Sequence, residues 1–283
     1  MRILVTGLNG FTGQYVEQAL VIKGHIVEGL TCNLMEAEAV AYEIKEKQPD
    51  SVIHLAAIAF VGYGDAAAFY QVNVLGARNL LAALASHAPN IKSVLLASSA
   101  NVYGNSNGGV ISEESTLNPA NDYAVSKLSM EYMAKLWFDK LPIFIVRPFN
   151  YTGIGQSEDF LLPKIVGHFN RKALFIELGN LDVWRDFSDV RAVAEAYTRL
   201  IDRLPIGKTV NICSGVAHSL REIIGMAEKI TGHKLEVRIN PAFVRQNEVK
   251  TLCGDATLLH SLIGDWQSLP LEDTLRWMLT AKA

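Results

Sequence analysis

Along the first half of the chain, short apolar runs alternate with stretches in which apolar residues recur at helical spacing. Arg2-Ile3-Leu4-Val5-Thr6 is a β-branched apolar run bounded by Gly7, the pattern of a strand buried on both faces. From Phe11 to Lys23 the apolar positions are Phe11, Tyr15, Val16, Ala19, Leu20 and Ile22, one side of a helix, and Gly24 follows as a C-cap. The same reading predicts further strands over 25–30, 51–55, 93–98 and 143–146, and helices over 36–47, 70–87 and 123–138. Strands that alternate with helices this regularly imply βαβ crossovers and a parallel sheet covered on both faces. The expected fold is therefore α/β, a doubly wound Rossmann-type parallel sheet over about residues 1–150.

Beyond Asn150 the rhythm gives way to irregular Gly- and Pro-containing segments, with helices predicted over 189–203, 219–231 and 271–279. Residues 151–283 are expected to form mainly a smaller substrate-binding cap, with some segments returning to the first domain. A length of 283 residues fits this division, since domains average about 150 residues.

Composition narrows the classes. With 49% hydrophobic and 19% charged residues the chain is expected to fold rather than stay disordered. A net charge of −3 without any Lys/Arg run gives no reason to expect nucleic acid as a partner. Cys32, Cys213 and Cys253 are far apart and form no CxxC pair, which argues against a disulfide framework or a zinc cage and for a reducing compartment. The longest apolar stretch, Leu55 to Val61, is far short of the roughly 18 residues of a membrane span, and the N-terminus lacks a signal-peptide pattern. A cytoplasmic enzyme is expected.

Thr6-Gly7-Leu8-Asn9-Gly10-Phe11-Thr12-Gly13 joins the first strand to the first helix with glycines at 7, 10 and 13. A tight turn needs a residue that tolerates positive φ, a pyrophosphate needs a backbone without a side chain in its way, and a close helix–strand contact needs a third missing side chain. This placement predicts a dinucleotide cofactor. The second strand ends Leu30-Thr31-Cys32-Asn33, with neither the carboxylate that would accept from a ribose 2′-hydroxyl nor an Arg for a 2′-phosphate. The missing carboxylate favours NADPH, with NAD as the alternative. Asn33 is a candidate for the adenine edge.

Tyr123 and Lys127 stand four apart, on one face of a predicted helix. A phenol with an ordinary pKa near 10 works at neutral pH when a nearby ammonium favours the phenolate, and Lys127 is placed to do this. Ser98-Ser99-Ala100-Asn101-Val102-Tyr103-Gly104 ends a predicted strand, on the rim where such sheets bind ligands. His54 and Cys213 read as packed core residues, and Trp184 beside Arg185 as a candidate wall of a substrate pocket.

With these motifs assembled, the chain resembles, over nearly its whole length, the extended short-chain dehydrogenase/reductase family acting on nucleotide sugars. TGLNGFTG is similar to the family's cofactor loop, HLAA (54–57) to its third-strand motif, NVLGARNLL (73–81) to its helix facing the sheet, and SSANVYG to its active-site strand. YAVSK resembles its catalytic pair and RPFN (147–150) its strand leading to the substrate. The resemblance implies that Ser99 orients the sugar oxygen, that Tyr123 gives or takes the proton, and that Lys127 also holds the nicotinamide ribose. It implies cofactor contacts from Gly7, Asn9, Gly10, Phe11, Thr12, Gly13, Thr31, Asn33, Leu55, Ala56, Ala57, Asn73 and Arg147, besides Tyr123 and Lys127. No metal is implied.

Two positions before Tyr103, the family's 4,6-dehydratases carry a Glu base and its epimerase-reductases an acidic Cys. Asn101 is neither. A 4-ketoreductase or a C4 epimerase is left, each needing only hydride transfer and one proton relay. FNYTGIGQ (149–156), GNLDVWRDFSDV (179–190) and RQNE (245–248) resemble stretches of the GDP-4-keto-6-deoxy-D-mannose reductases, with Tyr151 where His is usual and Ile154 and Gln246 where Pro is usual. By this resemblance the substrate contacts are Ser99, Ala100, Asn101, Asn150, Asn180, Arg185, Arg245 and Glu248. Arg185 and Arg245 are fixed-charge forks suited to a diphosphate, and Glu248 suits a ribose hydroxyl or a guanine edge. The alternative for Arg185 is a structural ion pair with Asp186. A third reading of the whole chain is a silent dinucleotide-binding sensor.

The helices over 66–86 and 121–138 complete the picture. The second carries Tyr123, Val125, Leu128, Met130, Tyr132, Met133, Leu136, Trp137 and Phe138, more apolar surface than one buried stripe needs. In the resembling family these helices meet their symmetry mates, so a homodimer through them is expected.

Overall fold

A computed structural model describes residues 1–60, 64–104, 109–243 and 250–281. The early chain builds β1 (Arg2–Thr6), α1 (Phe11–Ile22), β2 (Ile26–Gly29), α2 (Ala37–Lys47), β3 (Ser51–His54), α3 (Ala66–Tyr70), α4 (Ala77–His87) and β4 (Ser93–Ala97). Then come β5 (Val110–Ile111), α5 (Asp122–Lys135), β6 (Ile143–Pro148), β7 (Asn150–Thr152), α6 (Leu161–Asn170), β8 (Phe175–Leu178) and β9 (Trp184–Asp189). The chain continues through α7 (Val190–Arg203), β10 (Thr209–Ile212), β11 (Ala217–Ser219), α8 (Leu220–Thr231), β12 (Glu236–Ile239), β13 (Thr251–Gly254), α9 (Thr257–Ile263) and α10 (Leu271–Thr280).

Six strands form one parallel sheet in the order β10-β6-β4-β3-β1-β2. Its strands are apolar on both faces because each face has its own helical layer. Ile3, Val5, Ile53, Leu95, Phe144 and Val146 enter a core shared with α1, α7 and α9, while the alternate residues Leu4, Val52, Val94, Leu96, Ile143 and Ile145 enter a second core under α2, α4 and α5. The chain leaves β1 for β2 on one side and returns to β3 on the other. That reversal opens a crevice at the carboxyl ends of β1 and β3, where ligands of doubly wound sheets bind. The fold is the doubly wound α/β class expected.

Two helices depart from the periodicity. The segment predicted as one helix over 70–87 starts at Ala66 and passes through a π-helical stretch, Gln71–Gly76, before α4. The wider turn seats the buried Asn73, and Gly76 lies against the Leu34 side chain. Helix α5 stops at Lys135 because Leu136 and Trp137 turn back to Met133 and Ala134 through i→i−3 bonds. Of its bulky residues, Met130 is core, whereas Tyr132 and Leu136 are exposed.

After β6 the chain serves two structures. Helix α7, β10 and α9 complete the large sheet, and α7 lies across α1. The remaining strands make a five-stranded sheet, β11-β9-β13-β5 with β7 also on β9, and a separate pair, β8 with β12, under α6, α8 and α10. Helix α6 is not apparent from the sequence because Pro163 and Gly167 interrupt it. The proline falls in the first turn, where no N–H partner is lost. Asp186 joins the two sheets: its fully buried carboxylate accepts from Ser214 N (2.9 Å), Ser214 Oγ (2.6 Å), Gly215 N (2.9 Å) and Gly254 N (3.2 Å).

Candidate active site

The glycine turn makes the first wall of the crevice. Gly7 sits at φ +75°, with Ala56 N 3.0 Å from where a Cβ would be, so a side chain there would strain the turn and press on the loop after β3. A Cβ on Gly13 would collide with the Gly7 and Leu8 carbonyl oxygens. Helix α1 begins at Phe11 with no side-chain cap and no acidic residue in its first turn, so its end N–H groups suit a diphosphate. A dinucleotide therefore fits the residues present. Thr12 Oγ1 lies 2.8 Å from Tyr151 Oη, and Phe11 stacks on the Tyr151 ring, tying the turn to β7.

The loop after β3, carrying Leu55, Ala56 and Ala57, is the second wall. Thr6 Oγ1 bridges His54 Nδ1 (2.7 Å) and Ala56 N (3.1 Å). Burial pushes the His54 imidazole down to about 3, so it is a neutral core residue rather than an acid–base group. Asn73, assigned by resemblance to the cofactor, faces inward instead. Its Oδ1 accepts from Ile58 N (3.0 Å), and its Nδ2 donates to Ile58 O (3.2 Å) and Ser126 Oγ (3.0 Å). The side chain holds this loop against α5.

The tip of β2 differs from the sequence reading. No carboxylate stands at 30–33, yet one is delivered there by α2. Glu43 accepts from Thr31 N (2.9 Å), Thr31 Oγ1 (3.1 Å) and Cys32 N (3.0 Å), and Lys47 pairs with it at 3.1 Å. Although burial acts to raise its pKa, these donors win and hold Glu43 down to about 2. Asn33 caps the local turn through Met35 N (3.0 Å). Sequence spacing gave no signal for Glu43, because its place depends on how α2 docks.

Ser99, Tyr123 and Lys127 converge at the carboxyl end of β4, all nearly buried. The Asn121 side chain caps α5 by accepting from Ala124 N (2.9 Å), which sets the turn bearing Tyr123. Tyr123 is hydrogen-bonded to Ser99, and Asn101 donates to Ser99 Oγ from its backbone N and its Nδ2, each at 3.2 Å. Ala100 is buried in the short turn that follows.

The electrostatics correct one expectation. Burial pushes the Tyr123 phenol up to about 12, only partly opposed by Ser99, and burial draws the Lys127 amine down to about 8 against the pull of Glu131. The Lys127 Nζ donates to Ala97 O (2.8 Å). Tyr123 thus stands as a protonated donor at neutral pH.

Arg147 is also placed differently. Its guanidinium donates to Glu131 through Nε (2.9 Å) and Nη2 (2.6 Å), and through Nη1 to Tyr103 Oη (2.9 Å) and Glu113 O (3.3 Å). Buried and doubly paired, it supports α5 from behind rather than reaching a cofactor.

On the substrate side, Asn150 Nδ2 donates to Asp186 O (3.3 Å). Arg185 donates to Trp184 O (2.9 Å) and Lys250 O (3.4 Å), while the Asp186 carboxylate turns to Ser214, since neighbouring strand residues face opposite ways. Asn180 closes a turn by accepting from Asp182 N (2.9 Å). It borders a cavity of about 310 Å³ with Leu181, Asp182, Arg221 and Ile239, apart from the catalytic trio. Arg245 and Glu248 lie outside the described residues.

Residues 27–278 match the model of the family described as GDP-mannose 4,6 dehydratase. The chain belongs to that family. Among its relatives are a GDP-6-deoxy-D-talose 4-dehydrogenase of Aggregatibacter actinomycetemcomitans, 35% identical over 94% of this chain and 92% of the relative, and a GDP-6-deoxy-D-mannose reductase of Pseudomonas aeruginosa, 33% identical over 99% and 96%. A putative epimerase of Burkholderia cenocepacia superposes with a TM-score of 0.93 at 49% identity, covering 98% of this chain and 96% of that one. RMD of P. aeruginosa complexed with NADPH gives 0.89 at 32%, over 99% and 96%. MoeE5 in complex with UDP-glucuronic acid and NAD gives 0.88 at 25%, over 97% and 96%. Structural neighbours thus hold both dinucleotides. The chain is an enzyme of the extended short-chain dehydrogenase/reductase class.

Proposed function

We propose that the protein is an NADPH-dependent 4-ketoreductase of a nucleotide-linked 4-keto-6-deoxy sugar, GDP-linked, with NAD(H) as an alternative cofactor. The observation that carries this reading is Tyr123, buried, hydrogen-bonded to Ser99 and held protonated. A reduction at C4 leaves an alkoxide, and a phenol raised to about 12 is still acidic enough to protonate it. The bound dihydronicotinamide supplies the hydride. Ser99, with Asn101 donating to its oxygen, keeps its own hydrogen for Tyr123 or for the sugar oxygen. Lys127, four residues after Tyr123 and charged below about pH 8, is the proposed anchor of the nicotinamide ribose and counter-charge for the phenolate left behind.

Although the family model takes its description from a dehydratase, Asn101 has no basic atom to take the proton from C5 of a sugar. The relatives described as a 6-deoxy-talose 4-dehydrogenase and a 6-deoxy-mannose reductase support GDP and C4 as the site of change. Residues 151–283 are the proposed substrate cap in the main, with α7, β10 and α9 returning to the first domain. The assembly is a homodimer through α3–α4 and α5, where Tyr132 and Leu136 are exposed. Three free thiols accord with a cytoplasmic setting.

Incubation with NADPH and GDP-4-keto-6-deoxymannose tests the proposal. Loss of reduced-cofactor absorbance is expected, and absence of turnover with this and related 4-keto sugars would sink it. One observation favours a second reading, a nucleotide-sugar C4 epimerase with retained NAD: the Glu43 carboxylate at the β2 tip. Protein purified with stoichiometric, non-exchanging NAD would support that reading instead.

A further inference from the structure

Helix α2 places a carboxylate at the tip of β2, and the donors it engages bear on what that tip can bind. In doubly wound sheets the residues just past the second strand meet the ribose 2′ position. A 2′-phosphate needs hydrogen-bond donors or a cation there, and a 2′-hydroxyl needs an acceptor. Of the donors at this tip, Thr31 N, Thr31 Oγ1 and Cys32 N point at Glu43, and the Cys32 thiol bonds to it as well. The carboxylate fills the nest that a phosphate would use. With its hydrogen directed to Glu43, the Thr31 hydroxyl offers only lone pairs to a ligand.

Charge acts in the same direction. Between Gly29 and Glu43 the sequence holds Glu36 and Glu38 and not one Lys or Arg. Lys47 pairs with Glu43 (3.1 Å), while its ammonium also donates to Gly29 O (2.8 Å) and lies 3.7 Å from Glu28. Held down to about 2, Glu43 is ionised wherever the protein works. Its side chain is about one-eighth exposed, so its field is weakly screened.

Resting on the reading above that this crevice binds a nicotinamide dinucleotide, we infer that Glu43 is a specificity-determining residue that biases the site against the 2′-phosphate and toward NADH, by occupying the phosphate's donors and adding like charge. Lys47 moderates the bias. NADPH binds here against this bias, and the ratio of the two affinities is under the control of Glu43 and Lys47.

Two charge-neutralising variants read this out by direct titration, following dihydronicotinamide fluorescence in the whole protein without sugar. For Glu43→Gln the ratio Kd(NADPH)/Kd(NADH) is expected to fall at least about tenfold, because one charge goes and an amide donor appears. For Lys47→Gln the ratio is expected to rise, since Glu43 loses its counter-charge. Opposite shifts are the signature of charge at the 2′ position. Equal weakening of both dinucleotides in Glu43→Gln would show a mere loop clamp and overturn the inference, as would an unchanged ratio. If Glu43→Gln fails to fold by thermal melting, Lys47→Gln alone decides, an unchanged ratio again overturning it. Wild-type protein that binds neither dinucleotide would defeat the cofactor reading itself, a result distinct from binding both with a fixed ratio.

Discussion

The six-stranded and the five-stranded sheet are built on different physics. The large sheet rests on continuous apolar strands with a helical layer on each face, and its polar site residues fall at strand ends and at the start of α5. The small sheet brings together strands of two to six residues from distant parts of the chain, with Val110 paired to Cys253 and Trp184 to Thr251. Its centre is polar: the buried carboxylate of Asp186, pushed up by burial yet accepting four hydrogen bonds, fastens β9 to the turns after β10 and to β13. One sheet is stabilised by burying area, the other by satisfying a costly group. The proposed chemistry sits on the first and most of the proposed substrate contacts on the second, so the two can be broken separately.

Tyr123→Phe should give the largest effect on the first. Turnover is expected to fall at least about a hundredfold with little change in dinucleotide affinity, because one proton donor and almost no volume is lost. Steady-state kinetics beside a fluorescence titration measure both, and activity comparable to wild type would remove Tyr123 from the mechanism.

Asp186→Ala strikes the second. Four donors lose their acceptor in the interior, so denaturant unfolding is expected to show a loss of about 3 kcal/mol or more. If the sheets are separable, GDP-sugar binding is lost at temperatures where dinucleotide binding survives. Loss of both together would merge the two regions into one cooperative unit.

A pH series sharpens the account of the catalytic rim. Lys127 is drawn down to about 8, while Tyr123 at about 12 stays protonated throughout. The rate of reduction should therefore be level below pH 8 and fall toward tenfold per unit above it, as the ammonium is lost. A flat profile to pH 10 would show that the Lys127 charge does not assist.

The smallest effect is expected at the exposed end of α5. Leu136→Glu should halve the sedimenting mass from twice 31.1 kDa to 31.1 kDa while turnover stays within about twofold. A wild-type mass of 31.1 kDa at micromolar concentration would exclude the dimer. Met130 does not serve this test, since it is fully buried and a charge there would damage the core.

The sequence by itself determined the parallel sheet, the glycine turn and the Tyr123–Lys127 spacing, because each is written in neighbouring residues. Periods of two and 3.6, a turn needing positive φ and an i, i+4 pair are local rules, and Gly7, Gly13 and Asn121 obey them wherever the rest of the chain goes. Only the tertiary structure decided what surrounds those residues. It brought Glu43 to Thr31, turned Asn73 inward to Ile58, set Arg147 against Glu131 and Tyr103, and aimed Lys127 at Ala97 O. A side chain's partner, and hence its charge state, depends on which elements pack together and how dry the space between them becomes, and neither is a property of adjacent residues.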